Sequence, residues 1–245
     1  VSDSIVIIPT YNEKENIERM IRTIFHLTKQ FHILIVDDNS PDGTAGIVKK
    51  IQKEFSEQLF IVERSGKLGL GTAYLTGFKW ALANNYEYIF EMDADFSHNP
   101  DDLMGLYLAC SEGGADLAVG SRYISGINVI NWPLKRVLMS YMASKYVRMV
   151  TGMKIMDTTA GFKCFRRTVL DQLDLNRIKM KGYGFQIEMK FKTWRMGFNI
   201  VEVPIIFTDR KEGASKMSGG IFGEAFKGVI KMKIASYFTN PGIKR

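Results

Sequence analysis

Only two cysteines occur in 245 residues, and no acidic side chain lies between Asp116 and Asp157. Two thiols cannot build a disulfide framework or a thiolate zinc cluster. Cys110 and Cys164, both among apolar neighbours, are therefore expected to be small core residues of a protein in a reducing compartment. No stretch approaches about 18 uninterrupted apolar residues, so no helix is expected to span a bilayer. The leading Val1-Ser2-Asp3-Ser4 has no basic region and no cleavage site, so no secretory leader is expected there. Internal repeats and low-complexity tracts are absent. With 46% hydrophobic and 24% charged residues, the composition excludes a disordered, collagen-like or coiled-coil chain.

The missing acids expose a charge imbalance. Net charge is +7, and the acid-free stretch holds six cations: Arg122, Lys135, Arg136, Lys145, Arg148 and Lys154. A local field of one sign points to an anionic partner such as nucleic acid, phospholipid or a phosphorylated substrate. The alternative is a solvated basic face.

Apolar runs and helical periodicities alternate through the first half. Strands are predicted over 4–8, 32–36, 59–62, 87–92 and 116–119. Between them, Ile17, Met20, Ile21, Ile24 and Phe25 mark one helix, and Ile47, Val48, Ile51 and Phe55 a second. Leu70, Ala73, Tyr74, Gly77, Phe78 and Ala81 mark a third, and Pro100 is expected to open a fourth. This order predicts an α/β fold with a mainly parallel central sheet flanked by helices. The strands are continuous apolar runs, as expected when both faces are covered. Further on, residues 132–150 read as helical, 161–165 as a strand, 167–173 as a short helix and 184–196 as a helix. Residues 199–208 read as a strand that Pro204 assigns to an edge or a bulge. Residues 209–220 form a Gly- and Ser-rich loop and 221–238 an imperfectly amphipathic helix.

Ligands of such sheets sit at the C-terminal strand ends. The polar clusters fall there: Tyr11-Asn12-Glu13, Asp37-Asp38, Asp93-Ala94-Asp95 and Ser121-Arg122-Tyr123. Asp93 and Asp95 are two apart, a spacing that in extended chain turns both carboxylates to one side, where they could hold Mg2+ or Mn2+ with a diphosphate. Capping of the next helix is the alternative. His98 could line the same site, although a lone loop histidine is commonly exposed. Asp37-Asp38 could bind ribose or base, or serve the turn that Asn39-Ser40-Pro41-Asp42-Gly43 forms. Gly66-Lys67-Leu68-Gly69-Leu70-Gly71 matches neither a P-loop nor G-x-G-x-x-G, and Gly69 and Gly71 are read as permitting a tight start to the third helix. The loop with Arg210, Lys211 and Lys216 could close over phosphates or stay solvated.

Six segments stand in a telling order: Pro9-Thr10-Tyr11-Asn12-Glu13, Val36-Asp37-Asp38-Asn39-Ser40-Pro41-Asp42-Gly43, Leu68-Gly69-Leu70-Gly71-Thr72-Ala73, Asp93-Ala94-Asp95-Phe96-Ser97-His98, Gly120-Ser121-Arg122-Tyr123 and Gly213-Ala214-Ser215-Lys216. Together with Asn131-Trp132-Pro133 and Arg136, they resemble the family 2 inverting glycosyltransferases of GT-A fold. Among these, the chain is most similar to the dolichol-phosphate (polyprenol-phosphate) mannose synthases. The resemblance runs over residues 5–238 and implies a GT-A type nucleotide-sugar-binding fold.

What the resemblance implies is specific. Pro9, Tyr11, Asn12, Glu13, Val36, Asp38 and Ala94 would line the GDP-mannose site, and Asp93 and Asp95 would hold Mg2+ or Mn2+ on its diphosphate. Ser97 stands where some relatives place a glutamine metal ligand. Arg122 and Arg136 would grip the phosphate of a polyprenyl acceptor, and Arg210 and Lys216 would close on the donor. Asp95, Arg122 and Arg136 would carry catalysis. Gln186-Ile187-Glu188-Met189 replaces the Gln-x-x-Arg-Trp of processive relatives, which speaks against polymer synthesis. A phosphate nucleophile is already anionic and needs no general base.

Residues 1–220 would form the catalytic domain and 221–245 an amphipathic membrane-surface segment. The helix over 132–150 would also lie on an anionic membrane, at its cytoplasmic face. Core packing is the alternative for both helices. Some relatives continue into transmembrane helices. Here the last residue is Arg245, so the expectation is peripheral anchoring, a small membrane-anchoring subunit as partner, or a longer native chain. UDP-glucose as donor is the competing enzyme reading. A nucleic-acid-binding protein is the competing class, but neither an aromatic–basic platform nor a recognition helix supports it.

Overall fold

The computed structural model describes residues 2–180, 182–209 and 220–238. Strands β1 (Ser4–Thr10), β2 (His32–Asp37), β3 (Leu59–Glu63) and β4 (Tyr88–Glu91) alternate with helices α1 (Ile17–Phe25), α2 (Thr44–Gln52) and α3 (Leu70–Ala83). Then come α4 (Asp102–Ser111), β5 (Leu117–Ser121), β6 (Val129–Ile130), α5 (Leu134–Thr151), β7 (Lys163–Arg166) and α6 (Arg167–Gln172). The chain continues through α7 (Tyr183–Arg195), β8 (Ile200–Pro204), β9 (Phe207–Thr208) and α8 (Gly220–Phe238).

Seven strands form one sheet in the order β3-β2-β1-β4-β7-β5-β8, and β6 pairs with β9 in a small second sheet. All neighbours in the large sheet are parallel except β7, which runs antiparallel between β4 and β5. The sheet is therefore mainly parallel, as expected, with one reversed strand whose direction no local sequence pattern encodes. Alternate side chains divide the core. Val6, Ile8, Ile33 and Ile35 pack with residues of α1, α2 and α4, while Ile5, Ile7, Leu34 and Val36 pack with residues of α3, α6 and α7. Period-2 alternation in strands covered on both faces produces these two layers.

Two predicted elements differ in extent. The helix after Pro100 begins at Asp102, because Asn99 and Pro100 first form a tight turn whose carbonyls accept from Asp102 and Leu103 at 3.1 and 3.0 Å. The strand expected over 199–208 divides into β8 and β9. Pro204 closes β8, which is the edge strand of the large sheet, so the missing N–H disturbs no inner ladder. Gly69 takes φ 101° at the start of α3, a conformation suited to glycine, whereas Gly71 is needed for space: an added Cβ would sit 2.8 Å from the Phe185 ring.

Helix α8 packs on α5 and α7 through Val229 and Met232, beside Val147, Ile187 and Phe191. The rings of Tyr146 and Phe226 stack 4.1 Å apart. Among the described residues, no helix is long and apolar enough to cross a membrane.

Candidate active site

Strand order reverses beside β1: β2 lies on one side of it and β4 on the other. A crevice opens at the C-terminal ends of such a pair. Tyr11 follows β1 there and Asp93 follows β4. Asn12 turns the chain with φ 58°, and its N–H donates to Ser40 Oγ at 3.0 Å. The Glu13 N–H donates to Thr44 Oγ1 at 3.0 Å, while its carbonyl accepts from Asn16 and Ile17 and so opens α1. Pro9 pairs in register with Val36. The side chain of Val36 is buried in the core, so its backbone alone could meet a ligand there.

The two aspartates after β2 have different duties. Asp37 serves the turn: it accepts from Thr10 Oγ1 at 2.7 Å and from the Ser40 N–H and hydroxyl at 2.9 and 2.6 Å. Asp38 accepts from Arg64 Nε at 2.6 Å. Arg64 also donates to Thr72 Oγ1 at 2.7 Å, which ties the end of β3 to the first turn of α3. Lys67 lies over the Tyr11 ring at 4.8 Å.

Asp93, Ala94 and Asp95 follow β4 in a bent segment in which Phe96 takes φ 58°. Ala94 is buried, and both carboxylates are partly accessible. Asp93 accepts from Tyr74 Oη at 3.3 Å, and Asp95 accepts from the Ser97 N–H at 3.1 Å. Burial pushes the Tyr74 hydroxyl well above its usual range, and the negative charges of Asp93, Glu91 and Asp95 add to that. Both aspartates thus act on one region. Among the described residues no third carboxylate, histidine or cysteine joins them into a metal-binding cluster. Ser97 Oγ, however, is buried without a hydrogen-bond partner. Two carboxylates and an orphaned hydroxyl suit a hard cation that takes its remaining oxygens from a diphosphate and water.

His98 is buried rather than exposed, a correction to the sequence expectation. Its ring stacks on Phe162 at 4.9 Å and meets Phe207 edge-on at 5.3 Å. Burial lowers its pKa, against the opposing pull of Asp93 and Asp95.

Beyond Phe207 stand the two arginines. Arg122 follows β5 and is buried. Asp157 accepts from its Nε and Nη2, both at 2.7 Å, and from its backbone N–H at 3.0 Å. Arg136, on the first turn of α5, pairs with Asp209 at 2.8 Å. Both guanidinium groups face the Trp132 ring, Arg122 at 5.4 Å and Arg136 at 4.2 Å from its centroid. The acid-free stretch is therefore not one uniform basic face, because Arg122 and Arg136 are paired with acids outside it. Arg210 and Lys216 lie outside the described residues.

A buried polar cluster backs the Asp93 end of β4. Lys163 Nζ pairs with Glu91 at 3.0 Å, and Gln186 donates to Glu91 at 2.8 Å while accepting from Lys163. Burial pushes Glu91 up and Lys163 down, each toward its neutral form. Glu188 caps the backbone N–H groups of Lys179 and Met180 at 2.9 and 2.8 Å.

Sequence reading missed Arg64, Tyr74, Asp157 and this cluster. Arg64 carried a signal, since it follows β3 as Asp38 follows β2. Asp157 carried a fainter one, as the acid that closes the acid-free stretch.

The model of glycosyl transferase family 2 matches residues 5–174. Polyprenol monophosphomannose synthase of Mycolicibacterium smegmatis is 46% identical over 222 residues, covering 91% of this chain and 83% of that protein. Undecaprenyl-phosphate mannosyltransferase of Micrococcus luteus is 42% identical over 232 residues, covering 95% and 94%. A crystal structure of glucosyl-3-phosphoglycerate synthase from Mycobacterium tuberculosis with Mn2+, uridine diphosphate and glucosyl-3-phosphoglycerate has the same fold. Its TM-score is 0.65 at 19% identity, over 95% of this chain and 79% of that one.

Proposed function

The chain belongs to glycosyl transferase family 2, and we propose that it transfers mannose from GDP-mannose to a polyprenyl phosphate with inversion, giving polyprenyl-phosphate β-mannose and GDP. One observation carries the reading. Arg122 and Arg136 share the ring of Trp132, Arg122 and His98 both lie against Phe207, and His98 feels the charge of Asp93 and Asp95. An anion-binding half thus adjoins a nucleotide-binding half. The similarity to two enzymes named for mannosyl transfer to polyprenyl phosphates supports the same assignment.

The donor would lie along Pro9, Tyr11, Asn12, Glu13, Ala94 and the backbone of Val36, with Asp38 at the base. Asp93, Asp95 and Ser97 would hold Mg2+ or Mn2+, and the orphaned Ser97 hydroxyl fits that use. When bound, the dication neutralises charge on the diphosphate leaving group. Arg122 and Arg136 would orient the acceptor phosphate for in-line displacement, which inverts the anomeric carbon. Two anions at ~4–6 Å repel by roughly 3–4 kcal/mol per pair of unit charges at an effective dielectric near 20. Guanidinium groups fixed in place offset that repulsion without reorganising during the reaction. The phosphate oxygen needs no base. Consistently, Asp93, Asp95 and Asp157 each already accept hydrogen bonds.

Residues 1–220 would make up the catalytic unit, with α8 working at a membrane. Leu134, Leu138, Met142 and Met149 form an exposed stripe on α5, and Phe226, Ile230, Ile234, Tyr237 and Phe238 are exposed on α8. Lys135, Lys145, Lys227 and Lys231 lie among them. Apolar side chains interleaved with cations suit an anionic lipid surface, here the cytoplasmic face. Leu138→Glu should weaken flotation with anionic vesicles; unchanged flotation would count against this face.

The deciding experiment is transfer of radiolabelled mannose from GDP-mannose to a short polyprenyl phosphate, with UDP-glucose as competing donor. Asp95→Ala should abolish transfer without changing the melting temperature. Undiminished turnover in that variant, or preference for UDP-glucose, would refute the proposal.

A further inference from the structure

Asp157 lies in the segment between α5 and β7, which α7 and β8 hold at the sheet edge. Glu202, on β8, accepts the N–H groups of Met156 and Asp157 at 2.6 and 2.8 Å, one on each carboxylate oxygen. Glu202 stands opposite Val119 of β5, three residues before Arg122. Lys190 of α7 donates to Ala160 O at 2.6 Å from the other side. The backbone on either side of Asp157 is thereby fixed to β8, the neighbour of the strand that delivers Arg122, and to α7.

Asp157 is fully buried. It takes the Nε–Nη2 edge of Arg122, which would otherwise meet a phosphate with two parallel hydrogen bonds. Thr159 Oγ1 accepts from the same Nη2 at 2.9 Å. Tyr123, Trp132 and Phe207 surround the guanidinium at 5.2–5.5 Å. Burial pushes the Asp157 carboxyl up, but Arg122 and the backbone N–H hold it below the usual range, so it stays ionised. A long cationic side chain is thus immobilised before any ligand arrives, and its ordering entropy is lost on folding rather than on binding.

We infer that Asp157, with its backbone clipped by Glu202, is the positioning residue that sets how Arg122 meets the acceptor phosphate. The inference rests on the acceptor role proposed above for Arg122 and adds to it. Asp157 touches neither substrate. It restricts Arg122 to a single geometry and lowers the net charge of the pair, so recognition depends on placement more than on bulk positive potential.

The test is steady-state kinetics with GDP-mannose and a short polyprenyl phosphate varied in turn, alongside melting temperatures. Asp157→Asn should raise the acceptor KM roughly tenfold, the scale of one charge-assisted hydrogen bond, while the donor KM stays within about twofold. Glu202→Gln should shift it the same way by less, since the amide can accept only one of the two N–H groups. In an Arg122→Ala background, Asp157→Asn should add nothing further to the acceptor KM. A purely structural role predicts equal shifts in both KM values, or additivity in the double variant; either overturns the inference. If Asp157→Asn does not fold, Glu202→Gln decides, and an unchanged acceptor KM there overturns it. Arg136→Ala separates the two levels. If it raises the acceptor KM and the Asp157 and Glu202 variants do not, the positioning role alone fails. If neither arginine variant raises it, the acceptor reading fails as well.

Discussion

Arg64 joins Asp38 to Thr72: its Nε donates to the carboxylate at 2.6 Å and its Nη1 to the hydroxyl at 2.7 Å. One cation at the end of β3 therefore fixes the acid after β2 and the first turn of α3. Removing it would leave Asp38 poorly oriented at the proposed donor pocket. Arg64→Ala should raise the KM for the sugar nucleotide about tenfold, the scale of a hydrogen bond to a charged group. The acceptor KM should stay within about twofold. Equal changes in both constants would show that Arg64 supports the whole fold rather than the donor side.

Chelation tests the Asp93–Asp95 pair. Transfer should stop in excess EDTA and return with Mn2+ or Mg2+. Calorimetry should show Mn2+ uptake in the presence of GDP, lost in Asp95→Ala. Ser97→Ala removes the proposed weak ligand and should reduce metal affinity about 10-fold or less. Uptake of metal by Asp95→Ala equal to that of the parent protein would place the cation elsewhere.

His32 gives a pH prediction. It is buried on β2 with Nδ1 2.7 Å from the Tyr86 hydroxyl. Burial lowers its pKa below 6.5. The unfolded chain then binds a proton at a higher pH than the folded one, so this contribution to stability is complete above about pH 6.5 and is lost as pH falls through the lowered folded value. His98 titrates in the same direction. Urea midpoints should decline from pH 7.5 to 5, and His32→Gln should flatten part of that decline. An identical slope in the variant would remove His32 from the account.

The first five strands were legible because each is an unbroken apolar run closed by polar or turn residues. Pro204 likewise announced the sheet edge. The direction of β7 was not legible, since Lys163-Cys164-Phe165-Arg166 pairs equally well either way and only the long connection through α5 decides. His98 reads as an isolated loop residue until the fold brings Phe162 and Phe207 to its ring. The role of Asp157 depends on a pairing across the fold with Arg122, and no periodicity within one element reports such a pairing.

Gly77 tests the packing that places β1. A Cβ at this position of α3 would come within 2.5 Å of Ile7 Cγ2. Gly77→Ala gains helix propensity, yet overpacking costs ~1–3 kcal/mol and should win. Differential scanning calorimetry should show a lower melting temperature, partly restored by Ile7→Val. A higher melting temperature for Gly77→Ala would mean that α3 can draw back from the sheet.

The reversed strand β7 has a consequence for how such an enzyme diversifies. Because Lys163 opens β7 opposite Glu91 and Val119, it is the segment leading into β7, rather than the one leaving it, that reaches the reactive edge of the sheet. β7 also stands as a partition between the strands of the proposed nucleotide side, β1, β2 and β4, and those that carry Arg122 and Glu202, β5 and β8. On the proposed division of the site, lengthening or recomposing the segment ahead of β7 would retune the choice of recipient while leaving the sugar-donor half untouched, so one half could evolve under the constancy of the other.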